Sequence, residues 1–147
     1  MKNKLVLLLF AVVLAGCASQ TVNTNKAVAI TVYKSQSCGC CGGYISALEG
    51  AGYDVTTKVL PDVSPIKTEH NIPQDVWSCH TSIVGKYFVE GHVPLEAVAK
   101  LVREQPDIDG IALPGMPAGS PGMSGIKSAP FVVLALKNGQ ETEFMKV

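Results

Sequence analysis

The pattern of apolar and polar residues divides the chain into a short leader and one folded region. Residues 5–16 (LVLLLFAVVLAG) are apolar without interruption and follow a lysine-containing start. A run of this length is too short for a membrane-spanning helix, so residues 1–16 are predicted to be a signal peptide. Residues 17–26 are mostly polar and predict a flexible tether, which leaves residues 27–147 as the folded domain.

Strand and helix patterns alternate through the first half of this domain. Residues 27–34 are rich in β-branched side chains and residues 53–60 alternate between apolar and polar, so both predict strands. Residues 41–52 carry apolar side chains at helical spacing and predict a helix between those strands. In the following SPIKTEHN, Ser64 is the expected N-cap and Pro65 the first residue of a short helix.

The middle of the domain predicts a hairpin followed by a helix. Residues 80–102 fit a strand, a tight turn at Gly85-Lys86, a second strand and a helix that starts at Pro94. The apolar face of that helix is expected to consist of Leu95, Val98, Ala99 and Val102.

The C-terminal part begins with an irregular segment. Residues 106–125 are rich in proline and glycine and cannot be regular secondary structure throughout. Residues 129–147 predict a hairpin, because two strand-like runs flank Asn138-Gly139, the pair most compatible with a type I′ turn.

The order of these elements predicts an α/β, thioredoxin-like fold. A β-α-β-α-β-β-α core carries a cysteine motif between its first strand and first helix, and the Pro/Gly-rich loop and C-terminal hairpin are additions to it. Residues 81–102 resemble the closing strand–strand–helix of glutaredoxins. In such folds the residues just before the third strand lie beside the cysteine motif, so Cys79 is expected to meet that motif in space.

Charge and composition exclude several function classes. Twelve basic and twelve acidic residues balance one another, and no block of basic residues stands out. Binding of nucleic acid is therefore not expected. The sequence also contains no convincing Ser/His/Asp arrangement, phosphate loop or pair of catalytic carboxylates.

The apolar leader ends in LAGC, which resembles the lipobox of bacterial lipoproteins. In that motif the chain is cut before the cysteine and the cysteine is lipidated, so Cys17 would anchor the protein to a membrane on the periplasmic side. Ala18, rather than aspartate, follows Cys17, which resembles the sorting signal of lipoproteins directed to the outer membrane. The alternative is an ordinary secretory signal followed by an unrelated cysteine.

Four cysteines remain for the domain, in a compartment that oxidises thiols. Cys38, Cys40 and Cys41 fall within four positions at the predicted start of a helix, where the positive helix end stabilises thiolates. Thiolates bind Cu(I) strongly and can bridge several ions. The pattern therefore favours a centre on these three residues and Cys79 that holds more than one copper ion.

Two alternatives to this copper centre stay open. Cys38 and Cys41 have the C-x-x-C spacing of a thiol–disulfide oxidoreductase, although a third sulfur in the loop would compete for their disulfide. Four cysteines could also hold a structural zinc ion or form two disulfides, but zinc more often uses two separated cysteine pairs. Under the copper interpretation, Cys38 and Cys41 are the expected redox pair, and copper would cycle between Cu(I) and Cu(II).

Methionine and tryptophan side chains near the C-terminal half are weaker candidates. Met116 and Met123 carry thioether sulfurs, which suit Cu(I) and do not form disulfides, so both are candidate ligands. The competing interpretation makes them apolar residues that hold a Pro/Gly loop on the core. Trp77 is expected in the core or as a lid over the cysteines.

The three histidines are expected to have mainly structural roles. If Cys79 faces the cluster along a strand, His80 should face away from it. His92 precedes a helix and suits a turn or a cap, with a copper role as the lesser possibility. His70 closes a short helix, where a cation is favourable.

Four stretches occur in order and resemble the CopG-like family of bacterial copper-resistance proteins. They are CGCCGGY, LPDVSPIK, IPQDVWSCHTSIVGKYFVEGHVP and GIALPGMPAGSPGM, and the resemblance covers residues 28–126. It implies a thioredoxin-like fold, a periplasmic location, other periplasmic copper-handling proteins as partners, and a copper cluster with a role in copper redox. The ligands that it implies are Cys38, Cys40, Cys41 and Cys79.

The lipobox yields a direct test of the anchor. The mature protein is expected to sediment with membranes, and Cys17→Ser should release it, because serine cannot accept the thioether-linked lipid. Membrane association that is unchanged in Cys17→Ser would contradict the lipoprotein interpretation.

Overall fold

The computed structural model describes residues 27–147, so Cys17 and the predicted signal peptide and tether lie outside the described residues. Two strands and two helices alternate first, a strand pair and a helix follow, and three strands end the region. The elements are β1 (Ala29–Ser35), α1 (Cys41–Gly50), β2 (Asp54–Leu60), α2 (Ser64–Glu69), a 3-10 turn (Gln74–Val76), β3 (His80–Val84), β4 (Tyr87–Glu90), α3 (Leu95–Glu104), β5 (Gly110–Ala112), β6 (Val132–Lys137) and β7 (Gln140–Lys146).

All seven strands form one sheet in the order β2-β1-β3-β4-β5-β6-β7. Strand β1 is parallel to β2 and antiparallel to β3, and β3 is antiparallel to β4. The predicted α/β class and the β-α-β-α-β-β-α order of the core are confirmed. No helix within residues 27–147 is long and apolar enough to cross a membrane.

The Pro/Gly-rich segment contains one strand that its composition does not predict. Strand β5 pairs in parallel with β4 and antiparallel with β6, and Ile111 at its centre is fully buried. Gly110 allows this pairing, because a Cβ at that position would collide with Phe88. Through β5 the C-terminal hairpin joins the main sheet instead of forming a separate unit.

Two helix details differ from the expectations. The buried face of α3 contains Ala97, Val98 and Leu101, whereas Ala99 is exposed, because burial follows the i, i+1, i+4 row that faces the sheet. At α2 the N-cap is Val63, and Ser64 is already helical and donates its backbone N–H to Oδ1 of Asp62 at 2.9 Å.

The C-terminal hairpin has the predicted turn. Asn138 and Gly139 both have left-handed backbones, with φ values of 51° and 75°, as a type I′ turn requires. The two turn residues join β6 to β7, with Lys137 paired to Gln140.

Residues 114–125, called the strap below, cross over the beginning of α1. The backbones of the two segments are in contact, since a Cβ built on Gly43 would lie 2.9 Å from Cα of Gly122. Gly122 itself has a φ of 81°, and a side chain there would collide with the backbone at Tyr44. Glycine is therefore needed on both sides of this contact.

This contact predicts opposite effects for two adjacent glycines of α1. Gly43→Ala should lower the free energy of unfolding by about 1–3 kcal/mol, because the new methyl group pushes the strap away. Gly42→Ala is the matched control, since its Cβ would meet nothing within 4 Å. The control should raise stability by about 0.5–1 kcal/mol through helix propensity, as measured by urea unfolding. Equal effects of the two substitutions would contradict the strap contact.

Candidate metal centre

Three cysteines lie close together where β1 ends and α1 begins. The backbone N–H of Cys38 donates to the carbonyl of Ser35 at 3.2 Å, which closes a turn after the strand. Cys40 occupies the N-cap position and Cys41 is the first residue of α1. The turn brings the Sγ atoms of Cys38 and Cys40 to within 3.7 Å of each other.

Cys79 reaches this cluster through the pairing of β1 with β3. His80 pairs with Lys34 at the end of β1, so the residue before it lies at the same edge of the sheet as the cysteine motif. The Sγ atom of Cys79 lies 3.8 Å from that of Cys40 and 3.7 Å from that of Cys41. The predicted meeting of Cys79 with the motif is confirmed, and its use as a metal ligand stays a prediction.

The cysteines differ in bonding and exposure. A disulfide joins Cys38 and Cys41, whereas Cys40 and Cys79 are free thiols. Cys41 is completely buried, and Cys38 is partly exposed. Burial, followed by the neighbouring Cys40, raises the pKa of the Cys79 thiol to about 11. A metal that binds Cys79 at neutral pH must therefore displace its proton.

His80 lies against the cysteines, contrary to the expectation that it faces away. Its Nδ1 atom is 3.4 Å from Sγ of Cys79 and 3.5 Å from Sγ of Cys41. The alternation of strand side chains does not apply here, because β3 begins at His80 and Cys79 precedes it. Burial, followed by the charges of His92 and Lys67, lowers the pKa of His80 to about 3, so the ring is neutral and able to bind a metal.

His92 also belongs to the site, in contrast to the turn or cap role that the sequence favours. Its Nε2 atom lies 3.3 Å from Sγ of Cys79, and its Nδ1 atom donates to the carbonyl of Pro121 in the strap at 2.7 Å. With Nδ1 protonated, the neutral ring turns the lone pair of Nε2 toward Cys79. A backbone carbonyl that fixes the tautomer is typical of metal-binding histidines.

Both histidine rings are held by Tyr44. The ring centroids lie 4.7 Å apart for Tyr44 and His80, and 5.6 Å apart for Tyr44 and His92. The Tyr44 hydroxyl donates to the carbonyl of Val93 at 3.2 Å, and burial raises its pKa. The Tyr44 ring is therefore held in place and packs against both imidazoles.

A buried ion pair supports the backbone next to Cys79. Lys67 and Glu90 are 2% and 0% exposed and contact each other directly. The Glu90 carboxylate also accepts the Thr81 hydroxyl at 2.7 Å and the backbone N–H of Ser78. Burial raises the pKa of Glu90, and the contact with Lys67 opposes that rise. The pair thus ties Ser78, just before Cys79, to the end of β4.

The remaining candidates lie at the margin of the site or away from it. Met116 is 41% exposed, and Met123 is half-buried in the strap beside Gly122, so a ligand role for either stays a prediction. Trp77 packs in a core cluster and donates from Nε1 to the carbonyl of Ile72 at 2.8 Å. His70 caps the end of α2, which fits its expected structural role.

Six side chains therefore form one Cys–His centre with two overlapping donor groups. Within each group the ligand atoms all lie within 4.8 Å of one another, and Cys79 belongs to both. The first group is Cys38, Cys40, Cys41 and Cys79, and the second is Cys79, His80 and His92. Thiolate and imidazole donors suit copper and zinc, whereas calcium and magnesium prefer oxygen.

Comparisons with known proteins agree with this donor chemistry. A model of the family described as "Protein of unknown function, DUF411" matches residues 76–123. Two solved structures, both named copper resistance protein copG, are 40% identical to the chain and cover 83% of it. The chain covers 99% of Form 2 with a TM-score of 0.77, and 98% of Form 1 with a TM-score of 0.76. No curated protein matches the chain.

The ion pair predicts that one substitution strongly lowers the free energy of unfolding and that a second substitution compensates for the loss. Lys67→Met should cost about 3–5 kcal/mol in urea unfolding, because it leaves the Glu90 carboxylate buried without its cation. Adding Glu90→Gln should recover most of that loss, since the neutral amide can accept the backbone N–H of Ser78 on its oxygen and donate from its nitrogen to the hydroxyl oxygen of Thr81. A loss below about 1 kcal/mol for Lys67→Met, the range of exposed pairs, would contradict this role.

Proposed function

Since the chain belongs to the family of the copper resistance protein CopG, we propose that its Cys–His centre binds Cu(I) and reduces Cu(II) to Cu(I). More than one ion is held at a time. The observation that carries the proposal is the convergence of four Sγ atoms within 4.8 Å of one another. Two neutral imidazoles beside Cys79 add nitrogen donors to the same centre.

The donor set supports several monovalent copper ions better than one zinc ion. A tetrahedral zinc site uses four donors, and this centre offers six. Cysteine sulfurs that lie 3.7 to 3.8 Å apart are spaced to bridge neighbouring copper ions once they are thiolates. Each Cu(I) neutralises one thiolate charge, so a bridged cluster lets all four cysteines be deprotonated together in a partly buried site.

The Cys38–Cys41 disulfide supports the redox part of the proposal. Two thiolates can give one electron each to two Cu(II) ions, and their sulfurs then join as the disulfide. The products are two Cu(I) ions and one S–S bond, so charge and electrons balance. Cys40, Cys79 and the two histidines keep their donor atoms and can hold the Cu(I) that is formed.

A thiol–disulfide oxidoreductase is the second candidate, and the same disulfide favours it. Cys38 and Cys41 alone would suffice for that activity, however, and the approach of Cys79 and two histidines would then have no role. Reduction of insulin disulfides by the metal-free dithiol protein would favour this candidate over a copper protein.

We place this activity in the periplasm, on a lipid anchor at Cys17 that is directed to the outer membrane. The support is the LAGC motif with Ala18 after it, which lies outside the described residues. Other periplasmic copper-handling proteins would then be the donors or acceptors of the copper, and Met116 and Met123 remain candidate ligands during that exchange.

Copper stoichiometry tests the binding proposal. Reduced protein titrated with Cu(I) against a competing chelator should saturate above one equivalent. Cys79→Ser should lower this number, because Cys79 is shared by both donor groups. His92→Asn should lower the affinity by at least about tenfold, and His70→Asn, a histidine outside the centre, should leave it unchanged. A single equivalent of zinc that Cu(I) displaces poorly would support the structural zinc alternative instead.

Electron transfer is tested by mixing reduced, metal-free protein with Cu(II) under nitrogen. The paramagnetic signal of Cu(II) should disappear as thiols are lost, with two thiols lost for every two copper ions reduced. Cys41→Ser should stop both losses. A persistent Cu(II) signal with every thiol still free would leave a passive copper-binding protein.

A further inference from the structure

The proposed copper reduction ends with a disulfide between Cys38 and Cys41, so a second reaction must return two electrons to this pair. We propose that an external thiol reductant opens the disulfide by attack on Sγ of Cys38, with Cys41 as the leaving thiolate. This proposal rests on the proposed function for its place in the cycle. The chemistry of the attack itself depends only on the metal-free protein.

The two sulfurs of the disulfide differ in their exposure to solvent. Cys41 is 0% exposed, because it opens α1 beneath the Cys–His centre. Cys38 is partly exposed and lies between two exposed residues, Ser37 and Gly39. Thiol–disulfide exchange needs a thiolate in contact with the sulfur that it attacks, so a reductant from solvent reaches Cys38 first.

Cys41 is the leaving group because it is the bonded partner of the sulfur that solvent reaches. Its Sγ atom belongs to the first residue of α1, where unpaired backbone N–H groups can hold the released thiolate. The released sulfur lies 3.7 Å from Sγ of Cys79, so the reaction returns it directly to the donor set.

The surface around Cys38 suits a protein reductant. Residues 35–48 contain no charged side chain, so no local charge selects against a partner. Cβ atoms built on Gly39 and Gly42 would meet nothing within 4 Å, so there is open space at these two positions beside the cysteines. A dithiol protein can approach such a surface with its own backbone, and a small thiol such as glutathione carries the same attacking group.

The exchange balances in two steps. The reductant thiolate bonds to Sγ of Cys38, the S–S bond breaks, and Cys41 leaves as a thiolate. A second reductant thiol then attacks the reductant sulfur of the mixed bridge and releases Cys38 as a thiolate. The reductant ends as a disulfide, having supplied both electrons.

Two internal thiols could confuse the measurement. Cys40 lies 3.7 Å from Cys38, and Cys79 lies 3.7 Å from Cys41, so either could move the disulfide without reducing it. The test therefore uses full-length protein with Cys17→Ser, Cys40→Ser and Cys79→Ser, in which Cys38 and Cys41 are the only cysteines.

The experiment traps the mixed disulfide in metal-free protein and locates it by peptide mass spectrometry without reducing agent. One arm uses glutathione, and the other uses a thioredoxin-type protein whose second cysteine is serine, so that its bridge cannot resolve. Both arms should place the bridge on Cys38, in about tenfold excess over Cys41. The faster arm identifies the class of reductant.

A bridge mainly on Cys41 would overturn the proposal, and so would a disulfide that neither reductant opens until urea unfolds the protein. The copper assay separates this outcome from failure of the proposed function. Attack at Cys38 in a protein whose dithiol leaves Cu(II) unreduced would refute the copper activity alone. Copper reduction in a protein whose disulfide stays closed to both thiols would refute the external reductant alone.

Discussion

The antiparallel pairing of β1 with β3 is the constraint on which the centre depends. It places His80 opposite Lys34, and so brings Cys79 to the point where β1 ends and the three-cysteine turn begins. Nothing local in the chain could do this, because Cys40 and Cys79 are 39 positions apart. The pairing of β3 with β4 then adds His92, because Gly91 donates its backbone N–H to the carbonyl of His80 at 3.2 Å. Two strand pairings thus assemble all six donors.

Buried polar contacts hold this assembly in place. The ladder between β3 and β4 ends at Thr81 and Glu90, so Cys79 and His92 lie beyond it. The Glu90 carboxylate binds Ser78 and Lys67 there, and the strap carbonyl of Pro121 binds His92. A lone buried carboxylate would be costly, but its lysine and its hydrogen-bond donors stabilise the charged form. These contacts thereby fix the backbone that carries Cys79 and His92, where ladder hydrogen bonds no longer hold it.

The sequence predicts the order of elements and the approach of Cys79, because periodicity and turn residues mark both. It does not predict β5, since three residues are too few to show a period, and it misplaces His80 by applying strand alternation one residue too early. The strand register, however, is enough to predict the position of His92. A two-residue turn at Gly85-Lys86 pairs Thr81 with Glu90, and the same register continued outward sets Cys79 opposite His92. The Lys67–Glu90 pair has no such signal, because it joins a helix and a strand 23 positions apart.

Under the proposed function, the mixture of sulfur and nitrogen donors explains how one centre can serve two redox states. Disulfide formation removes Cys38 and Cys41 as charged ligands, and a site made of cysteines alone would then keep only two. Imidazoles form no disulfide, and burial keeps His80 and His92 neutral by lowering the pKa of both. Their lone pairs therefore stay available when half of the thiolates are lost. Cys79 contacts both histidines as well as Cys40 and Cys41, so copper that leaves the oxidised cysteines in the proposed cycle has nitrogen donors 3.3 to 3.4 Å from Sγ of Cys79. In the proposed cycle, the histidines thus allow the centre to keep its metal while two thiolates are lost to oxidation.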